Sequence, residues 1–191
     1  MALSKIDTAG LVADAVDNTI LDLAGNYAFT GTVTGAGGGK LLNVVNASVT
    51  AGETFTSLAG GTNTAPNYTD TALTLNITPS ASTSKILVLG SFYYDASGGN
   101  LPATLRVERD IGGTSTAIST QLGRGNYVGN MENTVWSASI NELDEPSTTS
   151  AITYTVQIGN PSTSARTLYF NSNYYNAGMF ESFLTAIEIG A

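Results

Sequence analysis

The stretch from Ala72 to Tyr94, ALTLNITPSASTSKILVLGSFYY, decides the fold of this chain. In its first limb, Leu73, Leu75 and Ile77 share one parity and polar residues occupy the other, as in a strand with one buried face. Pro79 then opens a polar turn, because proline cannot donate to a sheet ladder and tends to end a strand. The pattern predicts two strands separated by this turn.

The second limb, from Lys85 to Tyr94, is apolar on both parities. One side carries Ile86, Val88 and Phe92, and the other carries Leu87, Leu89 and Tyr93. In an antiparallel fold one sheet face usually meets water, so such a strand needs cover from a second sheet or a neighbouring subunit. We therefore expect a β-sandwich that associates.

From Leu41 onward, short apolar runs alternate with turn-forming residues such as Gly60-Gly61, Gly112-Gly113 and Asn160-Pro161. Eight or more such strands predict an all-β, jelly-roll-like antiparallel sandwich rather than a βαβ design. The closing strand again has two apolar sides, with Leu184 and Ala186 opposite Phe183 and Ile187. We expect this last strand to lie inside an assembly.

The N-terminal residues are predicted to form a separate arm. Val12, Val16, Ile20 and Leu23 recur at spacings of four, four and three, which predicts a short helix. A short helix is marginal in water without packing, so the stripe would dock on a partner or on other copies. The alternative is an arm packed on its own domain.

An extended segment around Phe29 and a glycine-rich stretch follow the predicted helix. Gly35 to Lys40 has the look of a phosphate loop, but Thr34 and Leu41 stand where that motif requires Gly and Ser or Thr. We predict three parts: an attachment arm, 1–35; a flexible linker, 36–40; and a β-sandwich domain, 41–191.

Composition limits the function classes. Charged residues make up 12% of the chain and the net charge is −8, with no run of basic residues. This argues against nucleic-acid binding and against an anionic membrane surface. The N-terminus lacks the apolar core of a signal peptide, so we expect release from the cell by a route other than secretion.

Catalysis finds little support in the residues. The chain has no His and no Cys, which excludes His-based triads, thiolate metal sites and disulfides. Glu142, Asp144 and Glu145 cluster before Pro146 and could bind a hard cation or form a glycosidase pair, although such a cluster is typical of a solvated loop. We expect no enzymatic activity, no cofactor and no metal.

Two aromatic clusters are the candidate receptor-binding residues. Tyrosine rings can stack on sugars while neighbouring amides and carboxylates bind hydroxyl groups, and tyrosine is also a frequent interface anchor. Loops around 95–102, 122–132 and 172–179 would carry such contacts. The candidate glycan-binding residues are Tyr94, Asp95, Asn173, Tyr174, Tyr175 and Asn176.

Several segments of the chain resemble virion proteins of tailed phages, notably those with marine and cyanobacterial hosts. AVDNTILDLAGNYAFTGTVTG, from Ala15 to Gly35, resembles their N-terminal segments. LNITP from Leu75, SKILV from Ser84, TYTVQIGNPST from Thr153 and LTAIEIGA from Leu184 are similar to the C-terminal module of their tail fibres.

The resemblance implies a virion structural protein, commonly a homotrimer, which attaches to the particle by its N-terminal arm. We expect a short tail fibre or similar appendage that contacts other virion proteins and a host-surface glycan. The chain lacks the shaft repeat of long fibres, so a capsid decoration (cement) protein that clamps capsomers is the alternative.

Overall fold

The computed structural model describes residues 40–97, 103–123, 135–172 and 180–190. The predicted arm, its helix and the extended segment around Phe29 lie outside the described residues and stay predictions. Within those ranges there are ten strands: β1 (Leu41–Val49), β2 (Glu53–Leu58), β3 (Asn67–Ile77), β4 (Lys85–Ala96), β5 (Thr104–Ile111), β6 (Thr114–Ala117), β7 (Trp136–Asp144), β8 (Ile152–Asn160), β9 (Arg166–Phe170) and β10 (Ser182–Ile189).

The strands form two antiparallel sheets. One has six strands in the order β1, β10, β4, β9, β2, with β7 also pairing with β4, and the other has four in the order β3, β8, β5, β6. The turn after Pro79 therefore carries the chain from one sheet to the other. No helix long and apolar enough to span a membrane occurs in the part of the chain described.

Two of the long strand positions in the six-stranded sheet are each occupied by two shorter strands that lie end to end, and we call each such position a line. Along one line, β1 ends opposite Ser182 of β10 and β2 begins opposite Phe170 of β9. β9 and β10 in turn both run antiparallel to β4, one after the other along its length. The six-stranded sheet therefore consists of four long lines: β1 with β2, β10 with β9, β4, and β7.

Asn171 makes the interruption between β9 and β10. Its backbone has a φ of 54°, a conformation that Asn tolerates better than most residues and that turns the chain out of the strand. Its side-chain amide donates to the carbonyl of Val49 at 2.6 Å, and its backbone N–H donates to the carbonyl of Tyr93 at 2.9 Å. The hydroxyl of Ser182 donates to its side-chain oxygen, so the strand resumes beside the point where it stopped.

With each interrupted strand counted once, the strand order is that of a jelly roll. The lines of one sheet come first, eighth, third and sixth along the chain, and those of the other come second, seventh, fourth and fifth. This arrangement of two four-line sheets is a double Greek key. The prediction of a jelly-roll-like antiparallel β-sandwich is confirmed.

The core lies between the two sheets and follows the alternation of the sequence. Leu73, Leu75 and Ile77 are buried from one sheet, and Ile86, Val88, Phe92, Leu184 and Ala186 from the other. Gly90 shares this inner face, and a Cβ there would lie 2.6 Å from the ring of Phe92. The expectation that the last strand lies inside an assembly was wrong for its Leu184 and Ala186 side, because the opposite sheet covers both residues.

Glu188 is a buried acid near the end of β10, only 2% exposed. Its carboxylate accepts hydrogen bonds from the backbone N–H of Ser80 at 2.7 Å and from the Ser80 hydroxyl at 2.6 Å. Burial by itself raises the pKa of this carboxyl, but the hydrogen bonds from Ser80 outweigh burial and hold the pKa below its usual value. Glu188 thus ties the end of β10 to the turn between β3 and β4.

We expect Glu188→Gln to lower the free energy of unfolding at pH 7 by about 1 to 2 kcal/mol, because the charge-assisted bonds are lost. The pKa of Glu188 is lower in the folded than in the unfolded chain, so its carboxylate stabilises the fold at pH values above the unfolded-state pKa of about 4.3. This contribution is lost as the pH falls through the folded-state pKa. Urea unfolding should therefore show a smaller deficit at pH 3 than at pH 7. Glu145→Gln, at an exposed ion pair, is the control and should change stability by less than about 0.5 kcal/mol.

Candidate assembly surface

A row of four aliphatic side chains crosses the outer face of the six-stranded sheet. Val44 on β1 pairs with Ile187 on β10, Ile187 with Leu87 on β4, and Leu87 with Leu143 on β7. Their inner neighbours are buried between the sheets, so the period of two turns these four outward. We call Val44, Ile187, Leu87 and Leu143 the apolar row.

The apolar row is open to solvent in a single subunit. Val44 is 59% exposed and Leu143 is 46% exposed, whereas Ile187 and Leu87, on the inner strands, are half-buried. All of the large apolar side chains that are exposed in the described ranges belong to β1, β7 and β10 of this sheet: Leu41, Leu42, Val44, Leu143 and Phe183. Contiguous exposed apolar surface of this kind marks an interaction site.

The residues that flank the apolar row are neutral. The next row along the strands is Asn46, Thr185, Leu89 and Asn141, in which the Asn46 amide donates to the Thr185 hydroxyl at 2.8 Å. Beyond it, Ser91 pairs with Ser139. On the opposite side of the apolar row, Lys85 and Glu145 form an exposed ion pair at 2.6 Å. The surface is therefore apolar with a neutral polar border.

The outer face of the four-stranded sheet is polar and satisfies its own hydrogen bonds. Arg106 Nε donates to Gln157 at 2.6 Å and its NH2 group to Glu108 at 2.9 Å, while its guanidinium lies 4.2 Å from the ring centre of Tyr68. Gln157 in turn donates to Asp70 at 2.6 Å. This network suits a face in water, so the apolar face is the better candidate for contacts with other proteins.

Two of the predicted glycan-binding residues are buried, which corrects their assignment. Tyr94 is fully enclosed, its hydroxyl donates to the carbonyl of Gly123, and burial raises its pKa. Asp95 is 1% exposed, and its carboxylate accepts from the backbone N–H of Ala96 at 2.7 Å. Neither side chain is presented to a ligand. Tyr94 shares the parity of Phe92, and that parity belongs to the core.

The other sequence-predicted site residues lie outside the described residues and stay predictions. For the receptor site these are Asn173, Tyr174, Tyr175 and Asn176, and for attachment they are Val12, Val16, Ile20, Leu23 and Phe29.

The acidic residues before Pro146 do not converge on one site. Asp144 is buried, where it accepts from Arg109 at 2.6 Å and from the Tyr154 hydroxyl at 2.6 Å, while Glu145 points to Lys85. Burial and the Asp144 carboxylate raise the pKa of Tyr154. Over the described ranges no group of three acidic, His or Cys side chains could hold a metal ion. Asp144 and Glu145 therefore pair with different basic residues.

An open groove of about 440 Å³ lies between β7 and residues 118–122. Its lining combines Ile118, Leu122 and Ile140 with Glu142, which is the single acid among the described lining residues. Glycoside hydrolysis ordinarily uses a pair of carboxylates. The groove therefore offers no glycosidase arrangement among these residues.

The three loops predicted to contact the host start from one end of the sandwich. β4 ends there at Ala96, Trp136 at the start of β7 pairs with Tyr94, and Asn171 donates to Tyr93. The described part of the chain begins at the opposite end, where Leu41 pairs with Ile189 and Gly190 donates to the carbonyl of Lys40 at 2.8 Å. From Lys85 to Ala96, β4 makes eleven residue-to-residue steps, which separate the two ends of the sandwich by about 37 Å.

Comparisons with known proteins give only distant likenesses. No protein-family model matches the sequence, and no curated protein matches it. Among solved structures, that of infectious bursal disease virus, Gt strain, is similar over 78% of this chain and 38% of its own, at 14% identity and a TM-score of 0.44.

Two further structures are similar at still lower scores. The VP2 subviral particle of the same virus gives 11% identity over 77% of this chain and 39% of its own, with a TM-score of 0.42. TmCBM61, in complex with β-1,4-galactotriose, gives 12% identity over 77% and 90%, with a TM-score of 0.29. The chain spans well under half of the viral proteins. Scores this low carry no inference, and the fold assignment rests on strand pairing.

We expect Tyr94→Phe to act on stability and not on binding. Loss of the hydrogen bond to the Gly123 carbonyl should lower the free energy of unfolding by about 1 kcal/mol. Urea unfolding measures this loss. A fully stable Tyr94→Phe variant would contradict the buried placement of the hydroxyl, and Thr74→Ala, at an exposed strand position, is the neutral control.

Proposed function

We propose that this chain is a structural protein of a virus particle that acts by contact and not by catalysis. The observation that carries the proposal is the apolar row, which a lone subunit leaves in water. The jelly roll is compatible with this role, since viral capsid domains are among the proteins that use it. The resemblance of several segments to tailed-phage virion proteins supports the same role.

Burial of the apolar row favours association. Covering a half-exposed aliphatic side chain contributes roughly 1 kcal/mol, so the four residues of the row supply a few kcal/mol for each copy. The apolar row thus supplies part of the free energy of a subunit contact, and the presence of many copies on one particle adds avidity. A virion part, present in several copies, suits a surface of this strength.

The finer proposal is a short tail fibre or similar appendage with a homotrimeric β-domain. Residues 1–35 attach it to other virion proteins, 36–40 form the linker, and the jelly roll is displayed to a host-surface glycan. The separation of the arm junction from the three loop bases supports this polarity, because attachment and display then occupy opposite ends. A cement protein, by contrast, would clamp capsomers and would not bind a host receptor.

Antibody labelling of intact particles locates the protein. We expect gold label at the tail, as an appendage requires. Label over the head would instead favour the cement alternative, and particles free of label and of the protein by mass spectrometry would overturn the virion assignment. Antibodies preadsorbed with the purified protein serve as the control for specificity.

A second test concerns the receptor residues. We expect Tyr174→Ala combined with Tyr175→Ala to reduce binding on host glycan arrays at least tenfold, because ring stacking on sugars is lost. Thr74→Ala is the matched control on the polar face. Undiminished binding by the double variant would remove both tyrosines from the site.

A further inference from the structure

We propose that three copies of this chain surround a three-fold axis with their six-stranded sheets facing inward, and that β1 of each copy lies beside β7 of the next. The apolar row of each subunit is then covered by the same row of the other two. The inference deepens the proposed function by locating the contact, and its test requires no virus particle.

The charge of the chain favours a second copy as the partner of this face. Each copy carries a net charge of −8, so copies repel one another at long range. They can meet closely only where the surface lacks acids. The apolar row and its Asn, Thr and Ser border meet that condition, and Glu145 at the other border is paired with Lys85, whereas the polar face carries Asp70, Glu108 and Asp110.

The two edges of the sheet favour a ring over a face-to-face pair. β1 has nine residues without a charge or a proline, although natural edge strands are usually protected by such residues. In the described residues β1 pairs only with β10 and β7 only with β4. A face-to-face pair would cover the row and leave both edges open. A ring brings each β1 edge to a β7 edge.

Strand direction permits this contact. Three antiparallel steps separate β1 from β7, so the two strands run in opposite directions. Rotation about an axis parallel to the strands keeps their directions, so β1 of one copy is antiparallel to β7 of the next. Val44 and Leu143, the most exposed members of the row, then meet across the junction.

The width of the sheet fits three copies. Three spacings of about 4.8 Å within the sheet and a fourth across the β1–β7 junction give about 19 Å, and a triangle with sides of about 19 Å has its centre about 5.5 Å from each side. Packed sheets lie about 10 Å apart, so each contributes a layer about 5 Å deep. The side chains of three such sheets therefore fill the space around the axis.

Engineered cysteines test the junction, since the natural chain has no Cys. We expect full-length Val44→Cys/Leu143→Cys to form disulfide-linked trimers on mild oxidation, seen on non-reducing gels. Within one chain the two sites are three strand spacings apart, about 14 Å, beyond the roughly 7 Å that a disulfide spans. A mixture of the two single variants should give linked dimers, and each single variant alone should stay unlinked.

The matched control is Thr74→Cys/Ser115→Cys, at exposed positions on the two edge strands of the other sheet, which should stay unlinked. Light scattering of the unmodified protein should give three times the 19.7 kDa of one chain. Linked dimers from Val44→Cys alone would overturn the proposal in favour of a two-fold β1 contact, and a dimer mass or a monomer would overturn it as well. If the purified protein is a trimer but antibodies do not label the particles, the β1–β7 contact is supported and the proposed role in the virion is rejected.

Discussion

Packing of the inner face of β4 is the constraint on which the rest of the structure depends. Ile86, Val88 and Phe92 fill the space between the sheets, and Gly90 leaves room for the Phe92 ring. Because side chains alternate with a period of two, this burial also fixes which residues point outward. Leu87 is placed on the outer face by the core, and its cross-strand partners Ile187 and Leu143 follow from the pairing. The apolar surface is a consequence of register.

The sequence predicts the fold better than it predicts the exposed apolar surface. Alternation in 72–78 and 152–158 identifies buried faces, and the two-sided patterns of β4 and β10 indicate that both strands need cover on two sides. The pattern does not show that Ile187, and not Leu184 or Ala186, is on the outer side of β10. It does not reveal that Val44 and Leu143 complete the row, because cross-strand register depends on contacts far apart in the chain. Nor does it show that one opposing sheet encloses Leu184 and Ala186. Burial of Tyr94, by contrast, could have been read from its shared parity with Phe92.

The two outer faces handle polarity in different ways. On the four-stranded sheet, Arg106 and Gln157 link the acids of neighbouring strands, so charged groups remain in water with their hydrogen bonds made. On the six-stranded sheet, serine, threonine and asparagine surround aliphatic residues, and these can be desolvated at lower cost than charges. In a chain with only 12% charged residues, concentrating the acids away from one face leaves that face free to be buried.

The difference between the two outer faces also relates the proposed trimer contact to the positions of the loops. If the apolar faces meet at an axis parallel to the strands, the polar faces lie outside and the strand ends point along the axis. Ala96, Trp136 and Asn171 then gather the loop bases of all three subunits at one end, while the Lys40 junctions gather at the other. Three weak receptor contacts presented in one plane can bind a surface together, and their effective strength depends on the rigidity of the sheets that hold them. In that arrangement, the register that buries the core also sets the end of the sandwich at which a receptor would bind.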